Sequence, residues 1–279
     1  MNTTMDRRLI SWILYTIICF NSLPVFAQTL KACGHPFYPP VSWIGDDQLT
    51  GLAPAITKKL FLELGYDIQL ITDYNWKRCL LEVQLGNADI IVAAYRIPSR
   101  ESFLDFTAQP LIADPVALFI NRQAPFDATE MNDLKNKTVG LLLGDSFGEK
   151  FDHFVQNHSH IEYVSRNSQN FEKLALKRID YMPIGALSGE LQSKKLGFHD
   201  QVKALDYRIS TEFYYLALGK NSALKQHIPY LNRRLKELTQ DGTIAQLTHF
   251  YSQQYTGSAE AFAPDSPSRD SVTQEASNE

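Results

Sequence analysis

The run from Ala88 to Thr107, ADIIVAAYRIPSRESFLDFT, restricts this chain more than any other stretch. Ile90-Ile91-Val92-Ala93-Ala94 is apolar without alternation. A strand of that kind has no solvent face, so it belongs in a sheet covered on both sides by helices. Tyr95-Arg96-Ile97-Pro98-Ser99 then turns the chain and delivers Arg100 past the strand's carboxyl end, before Phe103, Phe106 and Thr107 close the stretch. Ligands of open α/β sheets sit in the crevice at that end. An arginine there suits a small carboxylate, because its planar fork makes two parallel charged hydrogen bonds.

The rest of the chain repeats strand and helix in two runs, which implies parallel βαβ units. Leu30 to Gly34 reads as the first strand, and His35-Pro36-Phe37-Tyr38-Pro39-Pro40 breaks it as a stiff loop that holds Phe37 and Tyr38 at the strand's end. Trp43 follows, with a turn at Gly45-Asp46-Asp47. Pro54 sits in the first turn of a helix whose face is Ile56, Leu60 and Leu64, stopped by Gly65. Tyr66 to Thr72 alternates as a strand, and Asn75 can cap a helix carrying Trp76, Leu80 and Val83 inward to Gly86. Pro115 to Ile120 is a further strand. The second run has strands at Lys137–Leu143, Ile161–Val164 and Ile179–Ile184, the last expected to end early at Pro183. Its helices follow Gly148 and the cap candidates Ser168 or Asn170. Val202 to Leu205 is a weak extended piece and Thr211 to Leu218 a strong strand. Leu224, Ile228, Leu231, Leu235 and Leu238 form one face of a long helix, and Thr243 can cap a final one.

The expected fold class is therefore α/β, with two hinged lobes and a ligand cleft between them. Residues 28–120 with 212–255 form lobe 1 and residues 121–211 form lobe 2, with chain crossings near Ile120–Arg122 and Arg208–Glu212. Residues 1–27 read as a cleaved signal peptide: Arg7-Arg8 precede an apolar run from Leu9 to Phe20, and Val25-Phe26-Ala27 supplies a cleavage site. An exported, monomeric protein of a bacterial periplasm is expected. Cleavage removes Cys19 and leaves Cys33 and Cys79 as a candidate disulfide, the alternative being two separate buried thiols. Residues 256–279, rich in Ser, Pro, Glu, Asp and Gln, are expected to be a disordered acidic tail. The net charge of −4 and the scattered basic residues argue against nucleic acid as a partner. No cofactor is expected, and His158 with His160 lacks the Cys or acid neighbours of a metal site.

Taken in order, Tyr38-Pro39-Pro40, Leu49-Thr50-Gly51-Leu52, Trp76 with Leu85-Gly86-Asn87-Ala88-Asp89, Pro98-Ser99-Arg100-Glu101, Leu104-Asp105-Phe106-Thr107, Val139-Gly140, Gly144-Asp145-Ser146, Lys177-Arg178-Ile179-Asp180 and Asp241-Gly242-Thr243 resemble the family-3 solute-binding proteins. These are the amino-acid-type periplasmic receptors of ABC importers, with the type II periplasmic-binding fold. No single piece is specific; their order and spacing over residues 28–255 are. The resemblance implies that Arg100 grips a ligand carboxylate, that Tyr38 covers the ligand, and that Ser146 stands at a lobe-2 helix N-terminus, where an anion is favoured. It also implies a membrane permease, or a sensor, as the partner of the closed form. Two departures stand out. Ile184-Gly185-Ala186-Leu187 lacks the acid that holds an amino acid's ammonium, and Ala93, Ala94 and Ile97 replace the usual hydroxyls before the arginine. The implied ligand is a small carboxylate-bearing solute rather than an ordinary free amino acid.

Each candidate has a plainer alternative. Arg100 could pair with Glu101 or Asp105 at the surface, and Arg96, a second clamp candidate, could be solvated. Tyr38 could pack on the proline loop, and Tyr95, Trp43 and Trp76 could be core aromatics. Asp145 and Ser146 could be helix caps. The family contains dehydratases of cyclohexadienyl acids, and His35 is the one strand-end group suited to such chemistry; its alternative is a loop histidine beside Pro36. The expected function is binding without catalysis, for import or for sensing.

Overall fold

A computed structural model describes residues 28–257. The segments read as signal peptide, 1–27, and as tail from 258 onward lie outside the described residues. Among the described residues the strands make a nine-stranded sheet and a three-stranded one. One end of the large sheet holds β1 (Gln28–Cys33), β5 (Tyr66–Leu70) and β6 (Ile90–Tyr95), with β1 parallel to both neighbours. The other end holds β9 (Thr138–Leu142), β10 (His160–Val164) and β11 (Tyr181–Gly185). Between them run two long strands, β8 (Ile112–Asn121) and β12 (Val202–Gly219), antiparallel to each other, and the short β7 (Leu104–Phe106) pairs with β12 as the ninth strand.

Every residue of β6 is buried, as its unbroken apolar run requires. Helix α1 (Leu52–Glu63) buries Ile56, Leu60 and Phe61. Helix α2 (Trp76–Gln84) starts where Asn75 Oδ1 accepts the Arg78 N–H at 2.8 Å, and it buries Trp76, Cys79 and Val83. Cys79 is bridged to Cys33, with Cα atoms 5.8 Å apart. The bridge ties the β1 end that leads to His35 onto the helix that carries Trp76.

Several elements differ from the sequence reading. The proline loop contains β2 (Phe37–Tyr38), which pairs with β3 (Ser42–Gly45) and, through it, β4 (Gln48–Thr50). Pro183 does not end its strand. Strand β9 pairs β11 only at Tyr181, so no neighbour on that side needs the missing N–H, while β8 pairs along its other edge. Helix α6 (Ala186–Lys195), whose face is not regularly patterned, was not expected. The weak piece at 202–205 and the strong strand at 211–218 are one strand, β12, irregular between Ala204 and Ser210. The stretch expected to cross between lobes at Ile120–Arg122 is still paired: Ile120 lies opposite Tyr181 and Lys203. Pro229 shortens the long carboxyl-terminal helix to α7 (Ile228–Gln240), preceded by a 3-10 turn at Ala223–His227; α8 (Thr243–Thr256) follows. The remaining helices are α3 (Pro98–Glu101), α4 (Glu149–His158) and α5 (Asn167–Ala175); α5 begins after Arg166, ahead of the expected caps. No helix among the described residues is long and apolar enough to cross a membrane.

Candidate functional site

A narrow cleft opens between the two ends of the sheet, with a volume of about 280 Å³ including its mouth. His35, Tyr38, Trp76, Ala93, Tyr95 and Arg100 line it from the β1–β6 end, Asp145, Ser146 and Phe147 from the β9 end, and Tyr214 from β12. The positions follow from chain direction. His35 and Tyr38 come just past β1, Tyr95 ends β6, Arg100 is on the turn α3, and Asp145 lies past β9. All stand beyond the carboxyl ends of parallel strands, where such sheets leave room for a ligand.

Arg100 is 5% exposed. Its Nη1 donates to the Tyr95 carbonyl at 3.2 Å and its Nη2 to the Gly144 carbonyl, across the cleft, at 3.3 Å. The guanidinium stands 5.3 Å from the Trp76 ring centre, a cation–π distance. Burial lowers its pKa, opposed chiefly by the Asp145 carboxylate. The surface pairing with Glu101 or Asp105 does not occur. Two carbonyls occupy two of its five donors, which leaves a fork for an acid.

His35 joins the two sides. Its Nδ1 accepts the Phe37 N–H at 3.1 Å and its Nε2 lies 3.1 Å from Asp145 Oδ1. In the neutral ring the proton therefore sits on Nε2 and is donated to Asp145. Ser146 also lines the cleft, but its hydroxyl is given to Asp152, which in turn accepts the Phe147 N–H at 2.9 Å. Burial raises the Asp152 pKa. Trp76 borders the cleft as an aromatic wall.

Behind the cleft is a buried cluster that sequence reasoning missed. Asp114 Oδ2 accepts hydroxyl hydrogen bonds from Tyr38, at 2.8 Å, and from Tyr95. Tyr38 also accepts the Gly185 N–H at 2.6 Å, at the start of α6. The Tyr214 ring packs 4.5 Å from Tyr95 and 5.4 Å from Tyr38. Burial pushes the Asp114 carboxyl up to about 6 against the two tyrosine hydrogen bonds, and Glu212 acts in the same direction. Burial likewise raises all three phenols well above their ordinary value. Gly185 makes this possible, since a Cβ there would overlap the Asp114 carboxylate. An acid within the otherwise apolar ADPVALFI run was the visible signal for Asp114.

Two expected site residues are elsewhere. Trp43, on β3, packs edge-on against Tyr251 and Tyr255 of α8, 6.0 and 5.4 Å between ring centres, and borders an outer pocket with Phe37 and Arg166. Arg96 points to solvent and pairs with Glu101 at 2.5 Å. Arg96 lies just past the end of β6, outside the buried strand. Among the described residues no group of three or more His, Cys, Asp or Glu could hold a metal ion.

Two α/β lobes with a charged, aromatic cleft between them define a type II periplasmic-binding fold, the architecture of solute receptors. Residues 30–254 match the sequence profile of the bacterial extracellular solute-binding proteins, family 3, and the chain belongs to that family. It is similar in structure to AbpA of Streptococcus pneumoniae, an amino acid ABC transporter substrate-binding protein bound to L-arginine. That match has a TM-score of 0.70 at 18% identity and covers 82% of this chain and 96% of the other. It is also similar to the VFT2 domain of Bordetella pertussis BvgS, with a TM-score of 0.64 at 18% identity over 88% of this chain and 98% of that one. In sequence it is 27% identical over 106 residues to the virulence sensor protein BvgS of Bordetella pertussis, covering 38% of this chain and 8% of that protein's length.

Proposed function

We propose that this chain is an exported, non-catalytic receptor whose lobes close on a small carboxylate-bearing solute for uptake by an ABC permease. One observation carries the reading: Arg100 is buried in the interlobe cleft, is held by two carbonyls, and makes no direct ion pair among the described residues, Asp145 and Asp152 acting on it only from a distance. A buried cation needs an anionic partner to offset its lost hydration, and a solute carboxylate would supply it. Gly144 already meets Arg100, and Asp145 already meets His35, across the cleft, so a solute that favours this arrangement would shift the population toward the closed form. Residues 28–120 with 212–255 and residues 121–211 are the proposed lobes, moving about the strands that cross between them. Residues 1–27 are the proposed leader to the periplasm. Both ring nitrogens of His35 are engaged, which favours binding over acid–base catalysis at that residue.

Sensing is the second reading, favoured by the 27% identity to a virulence sensor. Native mass spectrometry of the purified protein, followed by thermal-shift titration of the co-purified solute, tests the main reading. A carboxylate-bearing solute that stabilises the wild type but not Arg100→Ala supports it. Equal stabilisation of both proteins, or rapid turnover of the solute, refutes it. Association of the liganded protein with a permease rather than a kinase would separate import from sensing.

A further inference from the structure

The outer pocket beside Trp43 has no part in the receptor reading. Its volume is about 610 Å³ including its mouth. Phe37, Trp43 and Tyr255 wall it on one side, and Arg166 and Leu196 on the other. The two sides already touch around it. Gln192 donates to the Phe37 carbonyl at 3.0 Å, and Lys195 to the Tyr255 carbonyl at 2.7 Å. The pocket has two characters. Its inner part is aromatic and aliphatic, with Leu196 38% exposed. Its rim carries the exposed Arg166, at the start of α5, and that guanidinium suits a carboxylate.

Where α8 stops decides what can reach this pocket. Tyr255 stands on its wall, and Gly257 ends the helix in the left-handed conformation, φ 82°, which turns the chain off the helix axis. The sequence continues Ser258-Ala259-Glu260-Ala261-Phe262-Ala263-Pro264, and Phe262 is the one aromatic residue from 258 to 279. In an extended chain, residues two apart face the same side, so Glu260 and Phe262 would face the pocket together. Pro264 favours an extended Ala263 before it. Five residues span up to roughly 17 Å, enough to bring Phe262 from Gly257 back over a pocket whose wall includes Tyr255.

We propose that residues 258–264 fold back into this pocket, with Phe262 between Trp43 and Leu196 and Glu260 on Arg166. So filled, the pocket ties the proline-loop side of the molecule to the α5–α6 side. That this tie joins two moving lobes rests on the lobe division given above. The match is one of shape and charge: an aromatic for the apolar part and an acid for the rim. A segment tethered by a few residues has an effective concentration of roughly a millimolar, so one buried phenylalanine and one charged pair suffice to hold it.

The test places a photoreactive benzoylphenylalanine at position 262 of the full chain, and in a second protein at position 261. Adducts are mapped by mass spectrometry. From 262 they should concentrate on peptides containing Trp43 and Leu196, at least about fivefold over those from 261, whose side chain faces away. Arg166→Glu should lower that yield, and adding Glu260→Lys should restore it. Scattered adducts, equal yields from the two positions, a yield indifferent to both charge changes, or adducts between two copies overturn the proposal. A second readout is hydrogen exchange of the Gly185 N–H, which bonds Tyr38 across the cleft. Phe262→Ala should speed that exchange at least about twofold if the filled pocket holds the sides together. Specific adducts with unchanged exchange at Gly185 overturn the tie and leave the docked segment in place. The receptor reading stands or falls on its own solute titration with Arg100→Ala, which neither adduct result alters.

Discussion

Removing the Cys33–Cys79 bridge is a perturbation whose size can be worked out beforehand. The bridge closes a loop with a sequence separation of 46 residues. In the chain-entropy treatment a loop of that length restricts the unfolded ensemble by about 4 kcal/mol. For a chain of this size each kcal/mol moves the melting temperature by roughly 2–4 °C, so Cys33→Ser with Cys79→Ser should melt roughly 8–16 °C lower. Both cysteines are fully buried beside Trp76, Val83 and Ile91, so hydroxyls placed there add to the loss. Differential scanning calorimetry of the double variant, with and without reductant, reads the effect. The wild type should lose stability on reduction, and the variant should not respond. Because the bridge ties the His35 strand end to the Trp76 helix, ligand affinity should fall as well. Two titratable thiols in the oxidised wild type, or a double variant that melts within about 2 °C of it, would refute the reasoning.

Other outcomes follow from the cleft. Asp114 has an ordinary carboxyl pKa of 3.8 and is pushed up to about 6 in the fold, so the folded protein holds that proton more tightly. Its contribution to stability is therefore present below about pH 4 and lost as pH rises through about 6, a difference of roughly 3 kcal/mol. Urea melts at pH 4 and pH 8 should show wild-type stability falling relative to Asp114→Asn by about this much, and a pH-independent difference would contradict it. Gly185→Ala places a methyl on the Asp114 carboxylate with the backbone otherwise undisturbed at φ −51°; a loss of about 1–3 kcal/mol is expected on melting. Arg96→Ala removes only an exposed pair with Glu101, so ligand affinity should change less than about twofold in the same titration that shows Arg100→Ala losing most of it.

The two lobes were legible because their cues are local. The β6 run has no solvent face, Asn75 precedes an apolar face at helical spacing, and the order of turn motifs repeats a family pattern. The burial of Arg100 beside the cleft was legible for the same reason, as a cation on the turn that follows a buried strand. What was missed depends on pairing across distance. Pro183 looks like a strand end until β11 is seen to pair with β9 only at Tyr181. Asp114 looks like a polar interruption until Tyr38, Tyr95 and Gly185 converge on it from sites far apart in sequence. The acid expected near residues 184–187 is absent there, and a carboxylate reaches the same place from β8, against a glycine that makes room for it. Trp43 and Arg96 stand away from this cleft because an aromatic or cation near a strand end can face either way, and only packing against α8 and pairing with Glu101 decide it.

The central claim is that Arg100 holds a carboxylate of the solute in the interlobe cleft. The direct test is a thermodynamic cycle by calorimetry, with the co-purified solute and its methyl ester, each titrated into wild type and Arg100→Ala. Esterification and substitution should each weaken binding by at least about tenfold, the strength of a charged hydrogen-bonded pair, and together by little more than either alone. Additive losses, or an ester that binds as tightly as the acid, would show that Arg100 and the carboxylate never meet.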